Sequence, residues 1–205
     1  MAANYDNSAW FYDRLSRMIY GKNLIRSQVY LLTHIPEGSN ILIVGGGTGW
    51  ILEEITKLYP SGLNITYVEI SAKMMALSRK RDTGDNQVVY MNEAVENVNF
   101  QTNFDVVITP FLFDNFTEQT QEKVFAHIHS YLKSGCLWLN ADFQLTGKWW
   151  QAFLLGSMLL FFRLICGIES KQLPDTEKIF ERHGYNVTDQ KTFFGDFILS
   201  TIYQK

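Results

Sequence analysis

Residues 41–49 read Ile-Leu-Ile-Val-Gly-Gly-Gly-Thr-Gly, four aliphatic residues followed at once by a glycine-rich turn. An uninterrupted aliphatic run is typical of a parallel strand that is buried on both faces. The glycines allow the backbone to turn tightly and allow a ligand to approach it without Cβ clashes. From residue 50 to residue 59, apolar side chains recur on one helical face. The segment therefore predicts a strand, a ligand-binding turn and a helix.

An acidic residue stands where the next strand is expected to end. Glu69 lies twenty positions after Gly49 and directly follows an apolar run at 65–68. A carboxylate at this point of a βαβ unit can accept hydrogen bonds from both hydroxyls of a ribose. The dinucleotide fingerprint would require a glycine at position 50, where this chain has Trp50. The pattern therefore predicts an adenosine-containing cofactor that is not a dinucleotide.

Length and composition exclude several classes of function. A chain of 205 residues suits one α/β domain with a substantial core. Its formal net charge of −3 gives no general attraction to phosphate backbones, so nucleic acid is not expected as a substrate. The two cysteines and four histidines lack metal-ligand spacing, and no metal is expected. The first residues lack a signal-peptide pattern, which predicts a cytoplasmic protein.

Short apolar runs alternate with helical patterns from residue 40 onward, as a doubly wound, mostly parallel sheet with helices on both faces requires. We expect a single domain over residues 1–205, with an N-terminal helical arm at 1–36 and an apolar helical cap at 144–172. The strand candidates are 41–44, 65–68, 88–91, 106–108, 137–139, 186–191 and 197–203, and the helix candidates are 24–32, 50–59, 72–81, 118–132 and 175–183.

The most apolar stretch of the chain is 149–162. It contains fourteen residues before Arg163, whereas a membrane-spanning helix needs about 20. The elements that follow must also rejoin the same sheet. We therefore expect a buried or capping helix and no stable membrane insertion, with shallow membrane contact or a lid over a lipophilic substrate as alternatives.

These motifs resemble those of the class I S-adenosylmethionine-dependent methyltransferases. The G-x-G-x-G spacing at 45–49 resembles the family's first motif, and residues 67–75 resemble its second. Looser matches lie at 91–95, 104–109 and 132–137. Two positions depart from the family's usual first motif, because Ile43 replaces an acid and Gly46 replaces a cysteine. The resemblance implies a seven-stranded methyltransferase fold and S-adenosyl-L-methionine as the cofactor.

The resemblance also implies roles for individual residues. Glu69 would hold the ribose, Glu93 would accept a hydrogen bond from the exocyclic amine of adenine, and the Ala94 N–H would meet a ring nitrogen. The strand that ends near Thr109 would lie under the methionine part of the cofactor. The cofactor-binding candidates are Gly45, Gly47, Thr48, Gly49, Glu69, Ile70, Glu93, Ala94 and Thr109.

The methyl acceptor is expected beyond the carboxyl ends of strands four and five. Asp114 and Asp142 follow these strands and are the candidates for a catalytic base or an acceptor anchor, although each could instead cap a helix or bind a loop. The aromatic cap favours a small lipophilic or aromatic acceptor, but it could also be core or a homodimer interface. The substrate-pocket candidates are Tyr12, Phe111, Asn115 and Trp149, and Tyr20 of the arm would close over the site.

Two other functions remain open on the sequence. The run Ile-Val-Gly-Gly-Gly followed by Val-Glu-Ile also resembles aminopropyltransferases of the spermidine synthase type. Those enzymes carry an acid pair just after strand four, whereas this chain has Thr109-Pro110-Phe111 there. A non-catalytic S-adenosylmethionine-binding protein is the other alternative, because Ile43 replaces the usual acid and no base is obvious.

Overall fold

Seven strands form one sheet in the part of the chain that the computed structural model describes, which is residue 6 and residues 18–167, 170 and 172–205. The spatial order is β3-β2-β1-β4-β5-β7-β6, with β7 antiparallel to both of its neighbours and the other pairs parallel. The predicted doubly wound, mostly parallel sheet is therefore confirmed. The strands are β1 (Asn40–Val44), β2 (Ser61–Val68), β3 (Asp85–Met91), β4 (Phe104–Pro110), β5 (Leu132–Phe143), β6 (Asn186–Phe193) and β7 (Ile198–Gln204).

Helices cover both faces of this sheet. On β1, Ile41 and Ile43 lie in one apolar cluster while Leu42 and Val44 lie in another, because successive side chains of a strand point to opposite faces. The first cluster includes residues of α1, α2 and α3, and the second includes residues of α4 and α6. The helices are α1 (Asn23–Leu32), α2 (Trp50–Leu58), α3 (Ala72–Ser78), α4 (Glu118–His129), α5 (Trp149–Cys166) and α6 (Thr176–Arg182).

The predicted boundary between the fourth helix of the structure and its fifth strand is wrong. The helix predicted over 118–132 ends at His129, and Leu132 already belongs to β5, where it pairs with Phe104. The Phe104 N–H donates to the Tyr131 carbonyl over 2.9 Å, so tertiary pairing takes these residues out of the helix. The sequence pattern of 118–132 is apolar at helical spacing and contains no signal of this pairing.

The apolar cap is a single helix. α5 continues past Arg163 to Cys166, which makes it 18 residues long, and 22% of it is buried. It is apolar and long enough to cross a membrane by length and composition alone. This low burial excludes the buried core helix, which was one of the expectations for this stretch.

Polar contacts fix the start of α5 to the turn between β6 and β7. Lys148 forms an ion pair with Asp196 over 2.8 Å. The buried Gln151 amide donates to the Gly195 carbonyl over 3.1 Å and accepts from the Thr146 N–H over 2.8 Å. These contacts hold the cap over one end of the sheet.

Candidate active site

A cavity of about 480 Å³ lies at the carboxyl ends of β1, β2 and β4. This volume falls within the range typical of small-molecule sites, and the position is where ligands bind in open α/β sheets. The cavity joins the glycine-rich turn to the inner face of α5. Its polar part is lined by Gly45, Gly46, Gly47, Thr48, Glu69, Glu93, Ala94 and Glu96, and its apolar part by Tyr20, Phe111, Phe143, Leu154, Met158, Phe161 and Phe162.

The glycine-rich turn adopts backbone conformations that favour glycine. Gly47 has φ +64° and Gly49 has φ +82°. A Cβ atom on Gly49 would lie 2.5 Å from the Ser78 side chain, so the absence of a side chain lets α2 begin close against α3. Gly49 is not among the residues lining the cavity, and its role is to permit this packing.

Glu69 holds the turn through hydrogen bonds to two backbone amides. Its carboxylate is buried and accepts from the Gly47 N–H over 3.0 Å and from the Ser71 N–H over 2.8 Å. Burial raises the pKa of Glu69, whereas the two N–H donors act in the opposite direction. Each carboxylate oxygen keeps a further lone pair. Glu69 can therefore accept hydrogen bonds from the two ribose hydroxyls without releasing the turn.

Tyr67 is a second support of the turn, a role that the sequence pattern does not indicate. Its hydroxyl donates to the Gly47 carbonyl over 2.9 Å, and its ring lies where a Cβ atom on Gly46 would stand, 2.5 Å away. Tyr67 is also the register partner of Ile43, the residue that replaces the acid in the first motif. Glycine at position 46, in place of the usual cysteine, thus leaves room for the Tyr67 ring. The carbonyl of Gly47 is bonded to Tyr67 and its N–H to Glu69, so both polar backbone groups of Gly47 are bonded to side chains at the end of β2.

Tyr67→Phe is expected to raise the Kd for S-adenosylmethionine about 3- to 10-fold, because one net hydrogen bond contributes about 1 kcal/mol. Isothermal titration calorimetry measures this change. Tyr90→Phe is the matched control, since the Tyr90 ring packs against Tyr67 but its hydroxyl lies 3.4 Å from the Ser78 carbonyl oxygen, outside the turn. Equal losses in the two variants would contradict a specific role for Tyr67.

The residues expected to bind adenine lie at the carboxyl ends of β2 and β3. Ile70, Glu93 and Ala94 line the cavity as the resemblance implies. Asn92 donates to the carbonyls of Glu69 and Ile70 over 2.7 and 3.1 Å, which joins the two strand ends. Trp50, Met74 and Val95 are among the apolar lining residues that were not predicted from the sequence. Trp50 could have been predicted as a lining residue, because it directly follows the glycine-rich turn in the sequence.

Four of the predicted site residues that the structure describes do not line the cavity, namely Gly49, Thr109, Asp142 and Trp149. Thr109 is fully buried, and its hydroxyl donates to Asn140 over 2.8 Å and accepts from the Trp138 indole over 2.9 Å. It supports the contact between β4 and β5 from below the site. Trp149 is exposed at the start of α5. Tyr12 lies outside the described residues.

Asp114 and Asp142 form a buried pair of carboxyl groups. Asp114 lines the cavity from the 3₁₀ turn Phe113–Asn115, beside Asn115. Burial and the charge of Asp142 raise the pKa of Asp114 well above its ordinary value. Burial raises the pKa of Asp142 to about 7. Its Oδ1 accepts from the Phe143 N–H over 2.9 Å, whereas its Oδ2 has no hydrogen-bond partner among the described residues.

The apolar part of the cavity carries a strained residue. Phe111 has φ +53°, a left-handed conformation that is costly for a bulky side chain. Its N–H donates to the Ala141 carbonyl over 2.7 Å, and its ring packs 5.0 Å from that of Phe143. Tyr20 packs on the other side of Phe143, with ring centroids 5.4 Å apart. These rings form an aromatic wall opposite the glycine-rich turn.

The polar residues fit the adenosine of the cofactor implied by the resemblance. The buried Glu69 carboxylate lines the cavity, and a Cβ atom on Gly47 would meet nothing nearer than Met74 Sδ at 3.9 Å, so the turn is open there to a ligand. Thr48 and Trp50 close the same wall. The apolar part then remains for a second molecule, next to Asp114.

Comparison with known proteins agrees with this geometry. A family described as "Methyltransferase domain" matches residues 41–135. A malonyl-[acyl-carrier protein] O-methyltransferase of Bacillus cereus is 31% identical over 90 residues, which is 43% of this chain and 33% of that relative. A polyamine aminopropyltransferase of Bacillus cytotoxicus is 43% identical over 54 residues, 26% of this chain and 19% of the relative. The chain thus matches a third or less of the length of these relatives.

The fold is shared with solved methyltransferase structures. The magnesium protoporphyrin IX methyltransferase of Synechocystis, determined with S-adenosylhomocysteine bound, superposes with a TM-score of 0.65. The alignment covers 89% of this chain and 81% of that one at 14% identity, a level that establishes the fold alone. The sequence match at 41–135, the strand order and the glycine-rich turn supported by Glu69 make this chain similar to the class I S-adenosylmethionine-dependent methyltransferases, whose fold it shares.

Proposed function

We propose that this protein transfers a methyl group from S-adenosylmethionine to a small lipophilic or aromatic acceptor that carries an acidic O–H or N–H group. One observation carries the proposal. A single cavity extends from the buried Glu69 carboxylate to an aromatic and aliphatic wall, and the buried Asp114 lies between the two parts. An apolar acceptor would therefore meet the cofactor in surroundings from which most water is excluded.

The residues of the chain have separate tasks in this reaction. Bound S-adenosylmethionine supplies a methyl group activated on a sulfonium sulfur. Glu69 and the glycine-rich turn hold the adenosine, and the wall around Phe111 orients the acceptor, so that proximity supplies much of the rate. Asp114 accepts the proton that the acceptor loses as its heteroatom bonds to the methyl carbon and the carbon–sulfur bond breaks.

A raised pKa suits Asp114 to this task. A base acts best when its pKa lies near the working pH, because it is then both ionised in part and basic enough to take a proton. Burial and the charge of Asp142 act in this direction. Because the charge of Asp142 acts on Asp114, the two carboxyl groups titrate as a coupled pair.

The names of two similar proteins support methylation at oxygen and a ring-containing acceptor. The relative of Bacillus cereus is named for methylation at oxygen, and the Synechocystis structure is named for magnesium protoporphyrin IX. Methylation at oxygen needs a base when the acceptor is protonated. We extend these properties to this chain because its cavity is apolar and contains a buried carboxyl group.

The aminopropyltransferase alternative is less well supported. The first acid after β4 is Asp114, which lies in the turn Phe113–Asn115 and not directly at the strand end. Its carboxyl group is buried among apolar residues, and burial raises its pKa, which opposes the binding of a cationic amine. The match to the Bacillus cytotoxicus enzyme covers 54 residues.

Calorimetric titration tests the proposal first. We expect S-adenosylmethionine and S-adenosylhomocysteine to bind at micromolar concentration, with decarboxylated S-adenosylmethionine binding more weakly. A screen with tritiated methyl donor and phenols, quinols and aromatic acids should then yield a labelled product. Preference for the decarboxylated donor would favour aminopropyl transfer. Binding without turnover across the screen would favour a non-catalytic protein, and absence of binding would refute all three functions.

A further inference from the structure

The side of α5 that points away from the sheet is apolar and exposed. Trp149, Phe153, Leu160 and Leu164, here called the outer face, are 81%, 73%, 54% and 77% exposed. Their spacing of four, seven and four residues places them on one side of the helix. Soluble proteins rarely expose a contiguous apolar surface of this kind unless it meets a partner or a membrane.

The opposite side of α5 lines the cavity. Leu154, Met158 and Phe161 face the proposed acceptor position. Ser157 both lines the cavity and is exposed, so the cavity reaches the surface beside the outer face. Ile19, across the cavity from α5, also lines it and is exposed. An apolar molecule would thus pass from the outer face to the cavity along apolar side chains.

The charges around α5 favour an anionic surface. The helix contains no Asp or Glu, and its one charged residue is Arg163. Lys148 precedes its first turn and is 44% exposed, although it is paired with Asp196. The chain as a whole has a net charge of −3, so an acid-free stretch of 18 residues stands out. Exposed tryptophan at the start of the helix suits the interface between lipid headgroups and acyl chains.

We propose that the outer face of α5 docks on the surface of an anionic lipid bilayer, from which the acceptor enters the cavity. The docking itself rests on exposure and charge, and the delivery of the acceptor rests on the function proposed above. α5 lies on the bilayer and does not cross it, because Gln151 and Lys148 fix its start to the turn between β6 and β7.

Vesicle flotation tests the docking. Full-length protein is mixed with vesicles of phosphatidylcholine alone or of phosphatidylcholine and phosphatidylglycerol. We expect binding to the anionic vesicles that exceeds binding to the neutral ones at least tenfold and that falls as salt is added. Phe153→Glu combined with Leu164→Glu should reduce this binding at least tenfold. Absence of wild-type binding to anionic vesicles would overturn the proposal.

Matched controls separate docking from misfolding and from dimerisation. Val89→Glu combined with Val187→Glu introduces the same charges at exposed apolar residues of β3 and β6, and it should leave vesicle binding within twofold of wild type. An equal loss in both double variants would overturn the proposal. Light scattering tests whether a second copy of the chain covers the outer face instead. If the wild type is a dimer and the α5 double variant is a monomer, the outer face is a dimer interface, and docking on lipid is refuted.

A separate readout distinguishes failure of docking from failure of the proposed function. The Kd for S-adenosylhomocysteine and the rate with a water-soluble acceptor should be unchanged in the α5 double variant, while the rate with an acceptor embedded in vesicles should fall. Vesicle binding without any methyl transfer would retain docking and refute the proposed function. If the α5 double variant methylates the vesicle-embedded acceptor at the wild-type rate, delivery of the acceptor through the outer face is refuted.

Discussion

Replacing Glu69 with glutamine is expected to weaken the binding of S-adenosylhomocysteine about 100-fold. The carboxylate accepts hydrogen bonds from the Gly47 and Ser71 N–H groups and keeps lone pairs for the ribose. The glutamine side chain has an NH₂ group in place of one carboxylate oxygen, and this group would face the N–H of either Gly47 or Ser71. Loss of two hydrogen bonds to a charged group costs about 3 kcal/mol. Calorimetric titration measures the change directly.

Glu118→Gln is the control for the loss of one negative charge. Glu118 is exposed in the first turn of α4 and does not line the cavity. Its replacement should leave the Kd within twofold of wild type, and both variants should unfold at temperatures close to that of wild type. A Glu69→Gln protein that binds within threefold of wild type would show that this carboxylate does not hold the cofactor.

Asp114→Asn is expected to lower kcat about 100- to 10,000-fold, the range typical for loss of a general base. The Kd for S-adenosylhomocysteine should stay within threefold, because Asp114 faces the apolar part of the cavity and not the ribose position. Rates with an acceptor from the screen and the Kd, measured on the same preparation, test both statements. Asn115→Ala is the neighbouring control, and its kcat should fall less than that of Asp114→Asn.

The pH dependence tests how the two carboxyl groups interact. A base works when ionised, so activity should rise with pH as Asp114 loses its proton. Because the charge of Asp142 raises the pKa of Asp114, this rise should lie above the pKa of Asp142, which is about 7. Asp142→Asn removes the negative charge that raises the pKa of Asp114, so the rise should move to lower pH. If activity depends on pH in the same way in Asp142→Asn as in wild type, the two carboxyl groups do not interact. If the same dependence is found in Asp114→Asn, Asp114 is not the base.

The fold could be predicted from local patterns because its elements are largely autonomous. The strand β1 is a continuous aliphatic run, and a parallel strand buried on both faces needs nothing else. The prediction failed where pairing between distant residues decided the outcome, as at Leu132, which pairs with Phe104.

The cofactor half of the site could be predicted for a similar reason. The turn at 45–49 and Glu69 are adjacent because consecutive parallel strands bring their carboxyl ends together. The role of Tyr67 could not be predicted in this way, since it depends on the space left by Gly46 and on the reach of one hydroxyl across the turn. Such distances are not encoded in a spacing along the chain.

The sequence by itself determined the order of elements, the glycine-rich turn and the acid that supports it. Only the tertiary structure decided that the Thr109 hydroxyl is bonded to Asn140 within the core and that Asp114 and Asp142 are a buried pair. It also decided that α5 has one apolar side toward the cavity and another apolar side toward the surroundings. The physical reason is that hydrophobic periodicity shows which residues avoid water along one element. Whether a carboxyl group is buried, or an apolar side chain is exposed, depends on which other elements pack against it.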